Sequence, residues 1–270
     1  MTGATSRPGG FTAVVLAGDR TRDDPVARAA GTSCKSLALV GGRPMVRRVL
    51  DALGAAREVG SRMLCGPRRE ALEQDQGLRA LVEAGEVQWL AARATPSLSA
   101  AAALDRVPPA EPVLLTTADH ALLTPAVVDY FCREARATGG EVVVGLARAE
   151  QVTAAFPGMR RTILRFRGGG YCGCNLFAFF TPAGRRAVTY WRRVEEERKR
   201  PLRLVVGALG WPAIVAYALG RLTLEAGVRR VSRRLGLRAG TVILPFPEAA
   251  VDVDSADDLQ LVRAIVGPTG

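Results

Sequence analysis

Histidine is almost missing from this 270-residue chain, which has only His120, and lysine is nearly so: Lys35 and Lys199 stand against 35 arginines. The five cysteines (Cys34, Cys65, Cys132, Cys172, Cys174) are odd in number and contain no CxxC pair. With one histidine beside them they offer too few soft ligands for a zinc site. They read as reduced thiols of a cytoplasmic protein. Aromatic residues make up 6% and are not interleaved with the basic ones, which argues against a surface that stacks single-stranded nucleic acid. A transmembrane helix needs roughly 20 apolar residues. The uncharged stretch from Leu204 to Gly220 has 17, with Gly207, Gly210 and Pro212 inside it, and reads as a kinked core or interfacial helix. Residues 1–10 contain no apolar segment of a secretory signal and read as a disordered leader before a domain spanning 11–270. Internal repeats and low-complexity tracts are also lacking.

What is present suits a soluble globular protein: 48% hydrophobic and 23% charged residues, at a length that buries a substantial core. The net charge of +11 is unevenly spread. Between Arg160 and Arg238 there are 18 Lys and Arg against four acids, a local +14, so the remainder of the chain sums to −3. A nearly neutral body carrying one cationic segment points to a local anionic partner: phosphates, an anionic membrane surface or nucleic acid.

Strand-like and helix-like segments alternate over the first 146 residues. FTAVVL (Phe11 to Leu16) is a compact buried strand, and Pro44 opens a helix with apolar residues at Met45, Val46, Val49, Leu50 and Leu53. A strand over Arg62 to Gly66, a helix over Arg69 to Glu83 and a short strand over Val87 to Leu90 follow. Next come a helix over Ser97 to Asp105, the strand Val113 to Thr117, a helix from Pro125 through Arg136 and the strand Glu141 to Leu146. This alternation predicts an α/β domain of Rossmann-like type, a mostly parallel central sheet with helices on both faces and a ligand beyond the carboxyl ends of the strands. In the basic, partly helical region 160–238 the sequence predicts strands over Arg160 to Phe166 and Cys174 to Phe179, then a helix over Pro182 to Arg200. The chain closes with a strand ending in Val251-Asp252-Val253-Asp254 and a helix capped by Ser255.

Three places can carry chemistry. After the first strand, Leu16, Ala17, Gly18, Asp19, Arg20, Thr21 and Arg22 form a loop whose free amides and arginines would neutralise phosphate oxygens; the competing reading is a plain surface turn. Lys35 stands out in a chain where arginine replaces nearly every lysine, and a compact ammonium suits a phosphate undergoing displacement. Otherwise it is a solvated surface lysine. Asp119, at the end of VLLTTAD, would point into the ligand crevice as a hard ligand for magnesium held partly by substrate phosphates, or would merely start a turn. His120 reads as its structural neighbour rather than a base. Asp252 and Asp254 share a strand face, with Asp254 the better metal ligand, while Asp258 belongs to the helix cap.

The segments LAGDRTR, CKSLALVGGRPMVRRVLDAL, PSLSAAAAL, VLLTTAD and VDVDSADDL occur in an order and spacing that resembles the nucleotidyltransferases of glycosyltransferase-A-like fold, especially their MobA-like branch. The resemblance covers nearly the whole chain. It implies transfer of NMP from an NTP to a phosphorylated acceptor with release of pyrophosphate. It places Leu16, Ala17, Gly18, Arg20 and Arg22 at the nucleotide, Lys35 and Arg20 at the reacting centre, and Mg2+ on Asp119 and Asp254. Ser97 and Ser99 would lie near the base or ribose, and Asn175, the only asparagine, at the acceptor. The partners implied are an NTP and a phosphorylated small molecule or lipid precursor, with no specific nucleic acid. The other reading is a peripheral membrane or anionic-ligand-binding protein that works through region 160–238, with catalysis lost or secondary.

Overall fold

The computed structural model describes residues 9–19, 24–196 and 211–267. Strand β1 (Phe11–Leu16) is buried along its whole length and pairs in parallel on both sides, with β4 (Val59–Cys65) and β6 (Val113–Thr117). Its alternate residues feed opposite layers. Phe11, Ala13 and Val15 join the core beneath α2 (Met45–Ala55) and α6 (Pro125–Ala137), while Val14 and Leu16 join the core beneath α5 (Pro96–Leu104) and α9 (Ala187–Glu196). The helix face predicted after Pro44 is the buried one: Met45, Val46, Val49, Leu50 and Leu53 point inward.

Across the sheet the order is β10-β7-β9-β6-β1-β4-β5, with β5 (Gln88–Leu90), β7 (Val142–Arg148), β9 (Gly169–Phe179) and β10 (Ala239–Leu244) completing that path. The neighbours of β9 run antiparallel to it, the other pairs along the path are parallel, and β8 (Leu164–Phe166) hangs on β9 as a hairpin. This is the mostly parallel, two-faced sheet expected of the glycosyltransferase-A type. Region 160–238 contributes β9 to its middle.

β9 carries an irregularity that matters for the site. Val144 pairs with Phe177 but Leu146 with Gly173, so three residues, Cys174 to Leu176, stand opposite the single Gly145. Asn175 occupies the bulge at φ 48°, the one non-glycine residue with positive φ among the described residues.

Several sequence-based boundaries shift. The helix expected over Arg69 to Glu83 divides into α3 (Arg69–Gln74) and α4 (Gln76–Glu83), because Asp75 turns out and its carboxylate accepts from Leu78 N at 2.6 Å, capping the second piece. The strand expected from Arg160 begins only at Leu164, since β9 offers partners from Tyr171 to Gly169 and no further. Val251 to Asp254 is not a strand: Val251 N bonds back to Glu248 O and Val253 N bonds to Asp119 O, so no ladder forms. The segment after Thr181 forms α8 (Pro182–Arg185) and α9 as separate helices, and the rest of the expected helix lies outside the described residues. Of the 204–220 stretch, Trp211–Ala218 is helical and 204–210 lies outside the described residues, as does the leader up to residue 8. Among the described residues no helix is long and apolar enough to cross a membrane. All five cysteines are free and buried.

The last helix (Ala256–Val266) is held by the expected cap: Ser255 Oγ accepts from Asp258 N at 3.2 Å, and Asp258 Oδ2 accepts from Ser255 N at 2.9 Å and from Asp254 N at 3.1 Å. Replacing Ser255 by Ala should cost about 1 kcal/mol in urea unfolding. Gly184→Ala should cost on the order of 1–3 kcal/mol, because a Cβ there would fall 2.0 Å from Glu141 O.

Candidate active site

Beyond the carboxyl ends of β1 and β6 lies a cleft of about 620 Å3. Its floor is Leu16, Ala17 and Gly18. The backbone there is fixed by Ala17 N bonding to Cys65 O at 2.8 Å, and Gly18 packs so tightly that a Cβ would lie 2.9 Å from Ala92 Cβ. Only glycine fits that approach. Asp19 then faces the cleft and its Oδ1 accepts from Lys35 N at 3.1 Å. Burial raises its carboxyl above the usual range, partly countered by that amide. Arg20 and Arg22 lie outside the described residues. Asp24 caps the short helix Pro25–Ala30, accepting from Val26 N and Ala27 N.

Lys35 opens a single 3-10 turn, Lys35–Leu37, whose Ser36 and Leu37 are buried, and the anchored turn aims the lysine inward. Its Nζ donates to Asp119 Oδ2 at 2.6 Å and to Asp254 Oδ1 at 2.9 Å. Burial by itself would lower the lysine pKa, but the charges of Asp119 and Asp254 and the hydrogen bonds they accept outweigh it, and the pKa lies above its ordinary value. The ammonium is therefore fully charged at neutral pH. Asp119 is oriented in turn by Thr117, whose Oγ1 donates to Oδ1 at 2.5 Å. The Asp119 carbonyl accepts from Val253 N at 3.1 Å, which stitches the loop carrying Asp252 and Asp254 to the end of β6. His120 is 1% exposed, and burial pushes its pKa down to about 4, so it is a neutral core residue.

Asn175, Phe177, Trp191 and Asp252 also line the cleft. Asn175 Nδ2 donates to Asp252 Oδ2 at 2.6 Å, and the guanidinium of Arg161 pairs with the same carboxylate while its Nη2 donates to Asp252 O at 2.6 Å. Phe177 and Trp191 stack with centroids 6.4 Å apart. Ser99 lines the cleft with its hydroxyl committed, accepting from Arg93 N at 2.8 Å and donating to Thr95 O at 3.1 Å. Ser97 does not line it: its Oγ donates to Glu195 Oε2 at 2.5 Å.

The structure thus brings Leu16, Ala17, Gly18, Lys35, Ser99, Asp119, Asn175 and Asp254 around one cleft and turns Ser97 away from it. Sequence reasoning missed Arg161, Phe177 and Trp191. Nothing distinguishes Arg161 among 35 arginines, and the two aromatics read only as apolar members of a strand and a helix. Among the described residues carboxylates dominate the lining, with Asp19, Asp24, Asp119, Asp252 and Asp254 against Lys35 and Arg93. Among the described residues no three His, Cys, Asp or Glu side chains cluster as a metal site. Asp119 and Asp254 do converge on one point, which the Lys35 ammonium occupies, so the pair is built to hold positive charge with oxygen ligands.

Comparison with known proteins agrees with this architecture. The chain is similar, at 32% identity and a TM-score of 0.76, to the solved structure of a hypothetical transferase from Thermus thermophilus, covering 93% of this chain and 99% of that one. It shares its fold with the 4-diphosphocytidyl-2C-methyl-D-erythritol synthase of Anaerococcus prevotii (11% identity, TM-score 0.56, 96% of each chain). The same holds for a CMP:2-keto-3-deoxy-manno-octonic acid synthetase solved with CTP (13%, TM-score 0.55, 95% of this chain and 98% of that one). No curated protein sequence matches. The model of the MobA-like NTP transferase domain matches residues 13–239, a span holding Gly18, Lys35 and Asp119, and the chain belongs to that family of nucleotidyltransferases.

Proposed function

We propose that the protein transfers a nucleoside monophosphate from an NTP to a phosphorylated acceptor and releases pyrophosphate. The observation that carries this reading is the Lys35 ammonium held between Asp119 and Asp254 at the mouth of a cleft floored by Gly18. In the reaction an acceptor phosphate oxygen bonds to the α-phosphorus, the bond from that phosphorus to the bridging oxygen breaks, and pyrophosphate leaves with the electron pair. The nucleophile is already an anion and needs no base, which agrees with His120 being buried and neutral. The protein's work is to hold the two substrates in line and to neutralise phosphate charge.

Each group has a part in that work. The Leu16 to Gly18 backbone, with Arg20 and Arg22, binds the triphosphate, and Ser99 fixes the wall beside base and ribose. Lys35 faces the reacting phosphate. Asn175, oriented by Asp252, contacts the acceptor. The all-oxygen pair Asp119 and Asp254 fits Mg2+ completed by phosphate and water oxygens. Bound there, Mg2+ would supply neutralisation of phosphate charge. The NTP requirement and the reduced thiols favour a cytoplasmic location.

Pyrophosphate release, screened with the four NTPs against phosphorylated sugars, polyols and pterins, tests the reading. A productive pair is expected, and release should stop with EDTA and return with Mg2+. Lys35→Ala and Asp119→Ala should each lower kcat/KM by on the order of 100-fold or more with unchanged circular dichroism. Undiminished transfer in either variant would sink the assignment. Lys35→Arg should not restore activity, because a planar guanidinium cannot replace a point charge between two carboxylates.

A further inference from the structure

The described arginines of region 160–238 do not line the cleft, and Arg161 is engaged with Asp252. Five of these arginines belong to a second surface. Helix α10 (Trp211–Ala218) and helix α11 (Leu224–Leu235) pack over the β8–β9 hairpin. Tyr217 Oη accepts from Arg165 N at 3.1 Å, its ring meets Phe166 edge-on at 5.7 Å, and Leu222 O accepts from Arg167 N at 2.7 Å. Gly227 lets α11 sit on the same ring, since a Cβ there would lie 3.3 Å from it.

This anchoring leaves Val215 and Leu219, one helical turn apart, 52% and 62% exposed. Leu164, next to the amide that Tyr217 binds, is 41% exposed. These are three of the five large apolar side chains that the described residues expose; the others, Leu39 and Ile265, lie on β2 (Leu39–Val40) and on the last helix. Arg165, Arg167 and Arg221 flank the three in sequence, and Arg229 and Arg233 stand one turn apart on α11, all exposed. None of these five forms an ion pair within 4.0 Å among the described residues, and Glu225 is the single acid of α11.

We infer that this helix pair and hairpin dock the protein on an anionic bilayer surface. Guanidinium groups there meet lipid phosphates while Leu164, Val215 and Leu219 enter the boundary between headgroups and acyl chains. A nucleic acid would satisfy the cations and leave the apolar tip in water. A second copy of the chain would bring like-charged arginines together. The surface is joined to the cleft by a short link: two residues separate Leu164 from Arg161, whose Nη2 donates to Asp252 O. An acceptor residing in the bilayer would enter there.

Co-sedimentation with vesicles of phosphatidylcholine alone, and mixed with phosphatidylglycerol, tests the inference on the full chain. Binding to the mixed vesicles should exceed binding to the neutral ones by on the order of tenfold at low salt and fall as salt rises. Arg229→Glu with Arg233→Glu should weaken it by on the order of tenfold, and Leu219→Asp should weaken it at low and high salt alike. Pyrophosphate release from soluble substrates should not change in these variants, which separates loss of docking from loss of catalysis or fold. Equal sedimentation with both vesicle types, or binding indifferent to the substitutions, would overturn the inference. So would retardation of generic RNA without vesicle binding, or a dimer in light scattering that Leu219→Asp disperses while vesicles stay unbound.

Discussion

One ammonium group organises the centre of this protein. Lys35 lies 84 residues from Asp119 and 219 from Asp254, and its Nζ is the point at which a 3-10 turn, the end of a central strand and the loop before the last helix meet. Its burial opposes the charge that its partners require. Each member therefore depends on the other two: without the lysine two carboxylates face each other, and without the carboxylates a cation sits desolvated. The surrounding structure acts to keep the three in register. Thr117 orients Asp119, the Asp119 carbonyl holds Val253, and the Ser255–Asp258 cap fixes Asp254 through its backbone amide.

The second constraint is the bulge in β9. An antiparallel strand inserted between β6 and β7 must satisfy ladders on both sides, yet three of its residues oppose one on β7. Gly145 makes this possible, since a Cβ there would press on Leu244, Leu176 and Phe131 at 3.0–3.3 Å. The accommodated residue, Asn175, adopts a left-handed backbone that asparagine tolerates better than most. Asp252 then accepts from its amide and is itself braced by Arg161. A backbone irregularity held by a hydrogen bond and a guanidinium pair is thus placed at the wall of the cleft, where strained residues are characteristically found.

Much of this was legible in the sequence for physical reasons. β1 has the bounds its β-branched run implies, the Met45 helix buries the predicted stripe, and Ser255 caps the final helix, because each is a local pattern with a local cause. Lys35 was visible by contrast with 35 arginines, and Asp119 by its place after an apolar strand. What could not be read was long-range pairing. Nothing in CKSL indicates that one lysine serves two carboxylates, and nothing in Arg161 distinguishes it from exposed neighbours. The Val251 to Asp254 alternation suggested a strand, but its amides turn to Glu248 and Asp119 instead. Alternation sets which side chains share a face; only the partner chain decides whether a ladder exists.

The charge of the chain resolves into two opposed fields. Among the described residues the cleft is lined by five aspartates and two cations, so binding of a polyanion there rests on short contacts and on neutralisation at Asp119 and Asp254. The exposed guanidinium groups described around α11 and the β8–β9 hairpin stand outside it. Arg161 marks the border between the two fields: it belongs by sequence to the cationic region, and its charge is cancelled by Asp252 at the point where that region enters the cleft.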